Sequence, residues 1–228
     1  MFSGYMHDAK PLNGGSNNSD YNMQDGWNSA MWTHVYSYIF PQIYQSENAT
    51  RDTHPALFGI TKILKVEVMH RVTDYYGPII YRHFANAEKH YQPDTQKEVY
   101  YEFFNELDSA VVALIGYIEE KPESNGFARF DILLDGKYSS WVKFANSLRL
   151  RLAMRLASIA PDKARLEIEK IKENDYGFFE RGSEKVAVST KSGYINPLGE
   201  LNLVWNETYM NASMESILTG YDDPRLKA

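Results

Sequence analysis

The chain has 228 residues, 43% of them hydrophobic and 24% charged, long enough to bury a sizeable core and too apolar for a disordered chain. A formal net charge of -6 argues against duplex nucleic acid as a partner, because there is no uniform positive field to displace counterions from phosphate. With no cysteine, disulfides, thiolate metal sites and thiol nucleophiles are excluded.

The opening MFSGYMHDAKPLNGG lacks a basic stretch followed by an apolar run. No uninterrupted apolar segment approaches the roughly 18 to 20 residues needed to span a bilayer. As written, the chain is expected neither to export nor to anchor itself. It is rich in aromatic residues, with 17 Tyr, 11 Phe and 4 Trp, more than a core of ordinary composition uses.

Taken in order, residues 1–26 read as loop: NGGSNNSD and DYNMQDG are turn formers with little to bury. From Trp27 the apolar positions Trp32, Tyr36, Ile39, Phe40 and Ile43 fall at helical spacing, with Pro41 expected to kink or end that helix. Ala56, Ile60, Ile63, Leu64, Val68 and Val72 mark a second helix, stopped by Gly77-Pro78. Thr95 and Glu98 have capping-box spacing and open a third, whose stripe is Val99, Phe103, Leu107, Ala110, Leu114 and Ile118. After the loop KPESNGFARFDILLDGK, a fourth helix runs from near Ser139 or Ser140 to Ala160-Pro161. A fifth runs from Asp162 to about Asn174, with Gly177 as its stop.

Beyond residue 176 the helical period is lost: KVAVST alternates like a short strand, INPLGELNLVW reads as loop, and a brief helix spans Ser213 to Leu218. The expectation is an all-α single domain over 1–228: a loop-rich segment 1–26, a helical core 27–175 and an irregular segment 176–228. Long helices in succession suggest tetratricopeptide-like stacked helix pairs, although no strict repeat is present.

The fourth helix, WVKFANSLRLRLAMRLASIAP, is oily on nearly every side yet carries three arginines. With Trp141 at zero and about 100° per residue, Trp141, Leu148, Leu152, Leu156 and Ile159 form one face, and Arg155 falls inside it with Arg151 alongside. Buried guanidinium groups need carboxylates. The expectation is a structural salt bridge that joins Arg151 and Arg155 to partners among Asp74, Glu102, Glu106 and Asp131, with a ligand-binding arginine as the alternative.

The same stretch, WVKFANSLRLRLAMR, resembles the signature helix of the SusD/RagB family. So do KVEVMHRVTDYYGPIIY, YQPDTQKEVYYEFFNELDSAVVAL, FDILLDGKYSSWVKFANSLRLRLAMR and DDPRL, which occur in the family's order. The resemblance covers residues 56–226 well, and 1–55 only through Trp32, Tyr36 and Ile39. It implies a tetratricopeptide-like scaffold and a loop-built ligand surface. It further implies a lipoprotein on the extracellular face of the outer membrane that delivers oligosaccharide or another nutrient to a TonB-dependent, SusC-like transporter. Family members begin with a lipidated cysteine and continue past DPRL, so the chain is expected to be a fragment that exposes apolar surface and self-associates.

Sugar rings present apolar CH faces, so carbohydrate sites combine flat aromatic rings with amide and carboxylate rims. The aromatics outside the long helices are the candidate ligand-binding residues: Tyr21, Trp27 and Trp32 beside Asn22, Gln24 and Asn28, and Tyr194, Trp205 and Tyr209 beside Asn196, Asn202 and Asn206. Trp141, Tyr75, Tyr76, Tyr100 and Tyr101 are assigned to packing instead. No catalytic residue, metal or cofactor is expected: the six histidines lack ligand spacing, there is no phosphate loop, and DYNMQDG departs from a calcium loop at its glycine and at Met31. Glu67 with Asp74, or Glu106 with Asp108, are the carboxylate pairs a hydrolase reading would use. A protein-scaffolding helical repeat is the other alternative.

Overall fold

The computed structural model describes residues 5–10, 12–16, 21–85, 92–122, 124–180, 184–189 and 193–227. In chain order these form β1 (Met6–Asp8), α1 (Asp25–Asn28), α2 (Ala30–His34), α3 (Phe40–Thr50), α4 (Pro55–Tyr76), α5 (Gln96–Glu120), α6 (Tyr138–Leu156), α7 (Pro161–Lys170), α8 (Pro197–Gly199), β2 (Thr208–Met210) and α9 (Ala212–Gly220). The fold is all-α and tetratricopeptide-like, with one short strand pair.

The chain divides into two compact units. Met1–Thr33 and Ser189–Ala228 form one, and His34–Val188 the other. The division follows the two ends of the chain, which pair through a strand ladder that sequence proximity cannot reveal.

In the helical unit α3 to α7 pack in succession, each against the next. Pro41 does not end the first helix. A π-helical turn, Val35–Ile39, precedes it, and the Phe40 N–H bonds to the Val35 carbonyl, so the hydrogen-bond register shifts where proline has no N–H to offer. α4 is buried almost all round because α3 and α5 cover it on two sides. Its approach to α5 is close: a Cβ on Gly59 would lie 2.9 Å from the Ala110 carbonyl oxygen and 3.0 Å from Leu114 Cγ. α5 opens with the reciprocal capping box of Thr95 and Glu98 and buries Val99, Phe103, Leu107, Ala110 and Leu114.

α6 starts at Tyr138 and stops at Leu156, one turn earlier than its apolar pattern suggested, so Ile159 falls in a turn and is exposed. Trp141 is 1% exposed, and its indole N–H donates to Asp131 Oδ2 at 2.8 Å. The same carboxylate accepts the backbone N–H groups of Leu133, Leu134 and Gly136, which folds the preceding loop over the ring.

The arginine expectation needs correction. The buried arc of α6 runs over Leu148, Trp141, Leu152, Ala145, Val142, Ala153 and Asn146. At about 100° per residue its centre lies roughly 60° from Trp141, because α6 meets both α5 and α7. Arg149, at about 80°, is therefore the buried guanidinium. It pairs with the fully buried Glu167 and, at 2.5 Å, with Asp108, while Lys163 and Lys170 complete the cluster at 2.6 Å from Glu167 and Asp108. Arg151 and Arg155 lie on the flank and are exposed. Arg155 does reach Asp74, at 2.8 Å, but Arg151 makes no ion pair among the described residues.

Glu106 serves a different layer. With Glu47 it receives Lys65 (2.6 and 3.3 Å) and Lys62 (3.3 and 2.8 Å), and it accepts the Tyr81 hydroxyl. Asp131 and Glu102 pair with no arginine among the described residues either: Asp131 holds the Trp141 loop, and Glu102 accepts from Asn105 at 3.1 Å.

Candidate ligand-binding surface

The unit formed by the two ends of the chain is built on a ladder between distant segments. β1 and β2 pair antiparallel with His7 opposite Tyr209, and the Ala9 N–H to Glu207 carbonyl (2.8 Å) and Asn211 N–H to Tyr5 carbonyl (2.9 Å) bonds extend it at both ends. Side chains alternate across a strand, so burial of Asp8 and Thr208 on one side presents His7 and Tyr209 on the other. Asn211 then caps α9 by accepting the Ser213 N–H at 3.0 Å.

Residues 184–189 form no strand, contrary to the alternation of KVAVST, and INPLGELNLVW is wound rather than open. Asn196 caps α8, which runs into a π-helical turn, Glu200–Val204. The Trp205 N–H closes that turn on the Glu200 carbonyl at 3.0 Å and delivers the indole at its exit. Asn206 takes a left-handed φ of 53° and accepts the Tyr209 hydroxyl at 3.2 Å, which orients that ring.

All six aromatic candidates fall in this one unit. Tyr21 is 77% exposed, at a positive φ, and Trp27 is exposed on α1, while Trp32 in α2 is half-buried. Tyr194, Trp205 and Tyr209 each show more than half of their surface. An open cleft of 370 Å³ in this unit is lined by Tyr194, Asn196, Glu200 and Leu203 among others. One aromatic ring, an amide and a carboxylate thus line one recess, the combination that apolar sugar faces and their hydroxyls require.

Two of the rim asparagines are partly spent, Asn196 on its cap and Asn206 on Tyr209, whereas Asn202 is exposed. Sequence reasoning missed the exposed aliphatic rim of Ile195, Leu198, Leu203 and Val204. Its only signal was an apolar run without period. Tyr75, assigned to packing, is exposed, in contrast to Trp141 and Tyr100.

The carboxylates of a hydrolase reading all have structural partners. Glu67 pairs with Arg71, Glu106 with two lysines, Asp108 with Arg149 and Lys170, and Asp74 with Arg155. Among the described residues no three His, Asp or Glu side chains are arranged to hold a metal. No described helix is long and apolar enough to cross a membrane.

A family model described as SusD-like, the Susd and RagB outer membrane lipoproteins, matches residues 1–228. The chain is similar to the crystal structure of a SusD homolog from Bacteroides vulgatus, at 43% identity and TM-score 0.90, over 100% of this chain and 45% of that one. It is also similar to a chitin-binding SusD homolog from Flavobacterium johnsoniae (37%, TM-score 0.91, 99% and 47%) and to a SusD-like protein from Bacteroides thetaiotaomicron (27%, TM-score 0.84, 98% and 46%). The chain thus spans less than half the length of these relatives. No curated protein matches it.

Proposed function

The chain belongs to the SusD/RagB family of outer membrane lipoproteins, and from that premise we propose that it binds oligosaccharide without cleaving it, on the aromatic surface of the unit formed by its two ends. The support for this reading is the cleft lined by the exposed Tyr194 with Asn196 and Glu200, in the same unit as the exposed Trp205 and Tyr209. Flat rings take the CH faces of a sugar while the amide and carboxylate bond its hydroxyls. A β-linked amino-sugar chain is the first ligand to try, since one relative is described as chitin-binding. In this reading the bound glycan is handed to a TonB-dependent, SusC-like transporter at the extracellular face of the outer membrane.

The test is incubation of the chain with fluorescently labelled glycans, chito-oligosaccharides included. Retention without new reducing ends is the expected result, weakened about fivefold to tenfold by Trp205→Ala or Tyr194→Ala. Cleavage, or retention indifferent to both substitutions, would overturn the reading.

A further inference from the structure

The helical unit carries a cleft of its own, about 590 Å³, where the end of α4, the start of α5 and the end of α6 meet. Asp74 organises it. One carboxylate oxygen accepts the Tyr100 hydroxyl at 2.5 Å, and the other lies 2.8 Å from Arg155 Nη1. Its single charge is thereby spent on holding Arg155 in place. A guanidinium offers five N–H donors in a planar fork, so the contact at Nη1 leaves donors for a ligand, and the Arg155 side chain is 43% exposed.

A second cation stands on the rim. Lys97 is exposed, its amine 5.6 Å from the centre of the Tyr101 ring, and it makes no ion pair among the described residues. Lys163 also approaches Tyr101, at 5.2 Å, but is committed to Glu167. Lys97 and Arg155 set against Asp74 leave the lining one positive charge in excess. Leu156 and the exposed Ile159 supply an apolar ledge.

We propose that this cleft binds a sugar residue bearing a carboxylate, with the carboxylate on Arg155 and Lys97 and an apolar ring face against Ile159 and Tyr101. A bare inorganic anion would leave the ledge unused, and a neutral sugar would leave the excess charge unanswered. A peptide bound by main-chain pairing needs a free strand edge. Here the lining from α4, α5 and α6 is helical, and only Ile159 and Ala160 lie outside helices. The inference stands apart from the aromatic surface, since no lining residue belongs to the other unit.

The experiment is a residue-resolved NMR titration of the whole chain with a tri-uronide, a neutral trisaccharide and a tripeptide, each at low and at high salt. Amide shifts at Lys97, Tyr101, Arg155 and Ile159 with the tri-uronide alone, weakened by salt, are expected. Lys97→Ala and Arg155→Lys should each weaken that binding about tenfold, the second because a point charge replaces a fork. Equal shifts with the neutral sugar or the peptide, no shifts at millimolar tri-uronide, or unchanged affinity in Lys97→Ala would overturn the proposal. Shifts at Tyr194 or Trp205 report the aromatic surface, so the two sites succeed or fail separately.

Discussion

Arg149 on α6 and Asp108 on α5 face each other at 2.5 Å, and behind them the same guanidinium meets Glu167 of α7, a carboxylate with no exposed side-chain surface. Three helices are thereby tied at one buried cation. Removing it leaves the buried Glu167 with Lys163 and Lys170 as its ion-pair partners among the described residues, and Asp108 without its closest cation. Arg149→Ala should destabilise the chain by about 3 to 5 kcal/mol. Arg151→Ala and Arg155→Ala, at exposed positions, should cost about 1 kcal/mol or less. Denaturant unfolding of the three variants checks the order, and equal losses would contradict it.

The layer of Glu47, Glu106, Lys62, Lys65 and Tyr81 predicts a stability plateau with two edges. Burial alone would raise the Glu47 carboxyl, but Lys65 and Lys62 hold it below its ordinary value. A depressed carboxylate contributes stability above its unfolded pKa, near ~4.3, and loses it as pH falls through the folded value. Burial would lower Lys65, yet Glu106 and Glu47 raise it, and burial with Glu106 pushes Tyr81 well up. Raised groups contribute fully below their unfolded values, near ~10, and lose that contribution as pH climbs through the folded ones. Midpoints of urea unfolding should therefore fall below about pH 5 and above about pH 10. Lys65→Met should blunt the alkaline edge.

His70 adds a separate acid effect. It is wholly buried, its Nδ1–H donates to the Val66 carbonyl at 3.1 Å, and its Nε2 has no hydrogen-bond partner among the described residues. Burial lowers its pKa despite Glu67 nearby. The neutral ring therefore contributes stability above about pH 6.5 that is lost as pH falls through the folded pKa. His70→Phe should flatten the unfolding profile below about pH 6.5. An unaltered profile would show that protonation of this ring does not couple to folding.

Gly59 sets the spacing of α4 and α5. A methyl group there would press on the Ala110 carbonyl oxygen and Leu114, backbone and packed side chain that have little room to yield. Gly59→Ala should cost about 1 to 3 kcal/mol even though alanine favours helix. Gly116→Ala, where a Cβ would meet open space, is the control and should be neutral or slightly stabilising. Thermal melts of the pair distinguish packing from propensity.

Trp205→Ala and Tyr209→Ala remove exposed rings, and their effect on stability should stay within about 0.5 kcal/mol. Loss of glycan retention without loss of the melting transition marks a surface used for binding. A large drop in melting temperature would assign the rings to packing.

Local chemistry was legible in the residues themselves. The Thr95 and Glu98 box, the stop at Gly77 and the stripe from Val99 to Leu114 each depend on neighbours within one or two turns, so spacing is enough to read them. The six aromatics outside the long helices could be picked out by the same logic. Tertiary structure alone decided which arginine is buried, because the centre of a helix face depends on where its partners lie, and α6 has one on each of two sides. It alone decided that His7 lies opposite Tyr209, two hundred residues on, and so joined the two ends of the chain in one unit. A ladder bond between distant segments leaves no periodic mark on either, and a guanidinium has the same letter whether water or a carboxylate surrounds it.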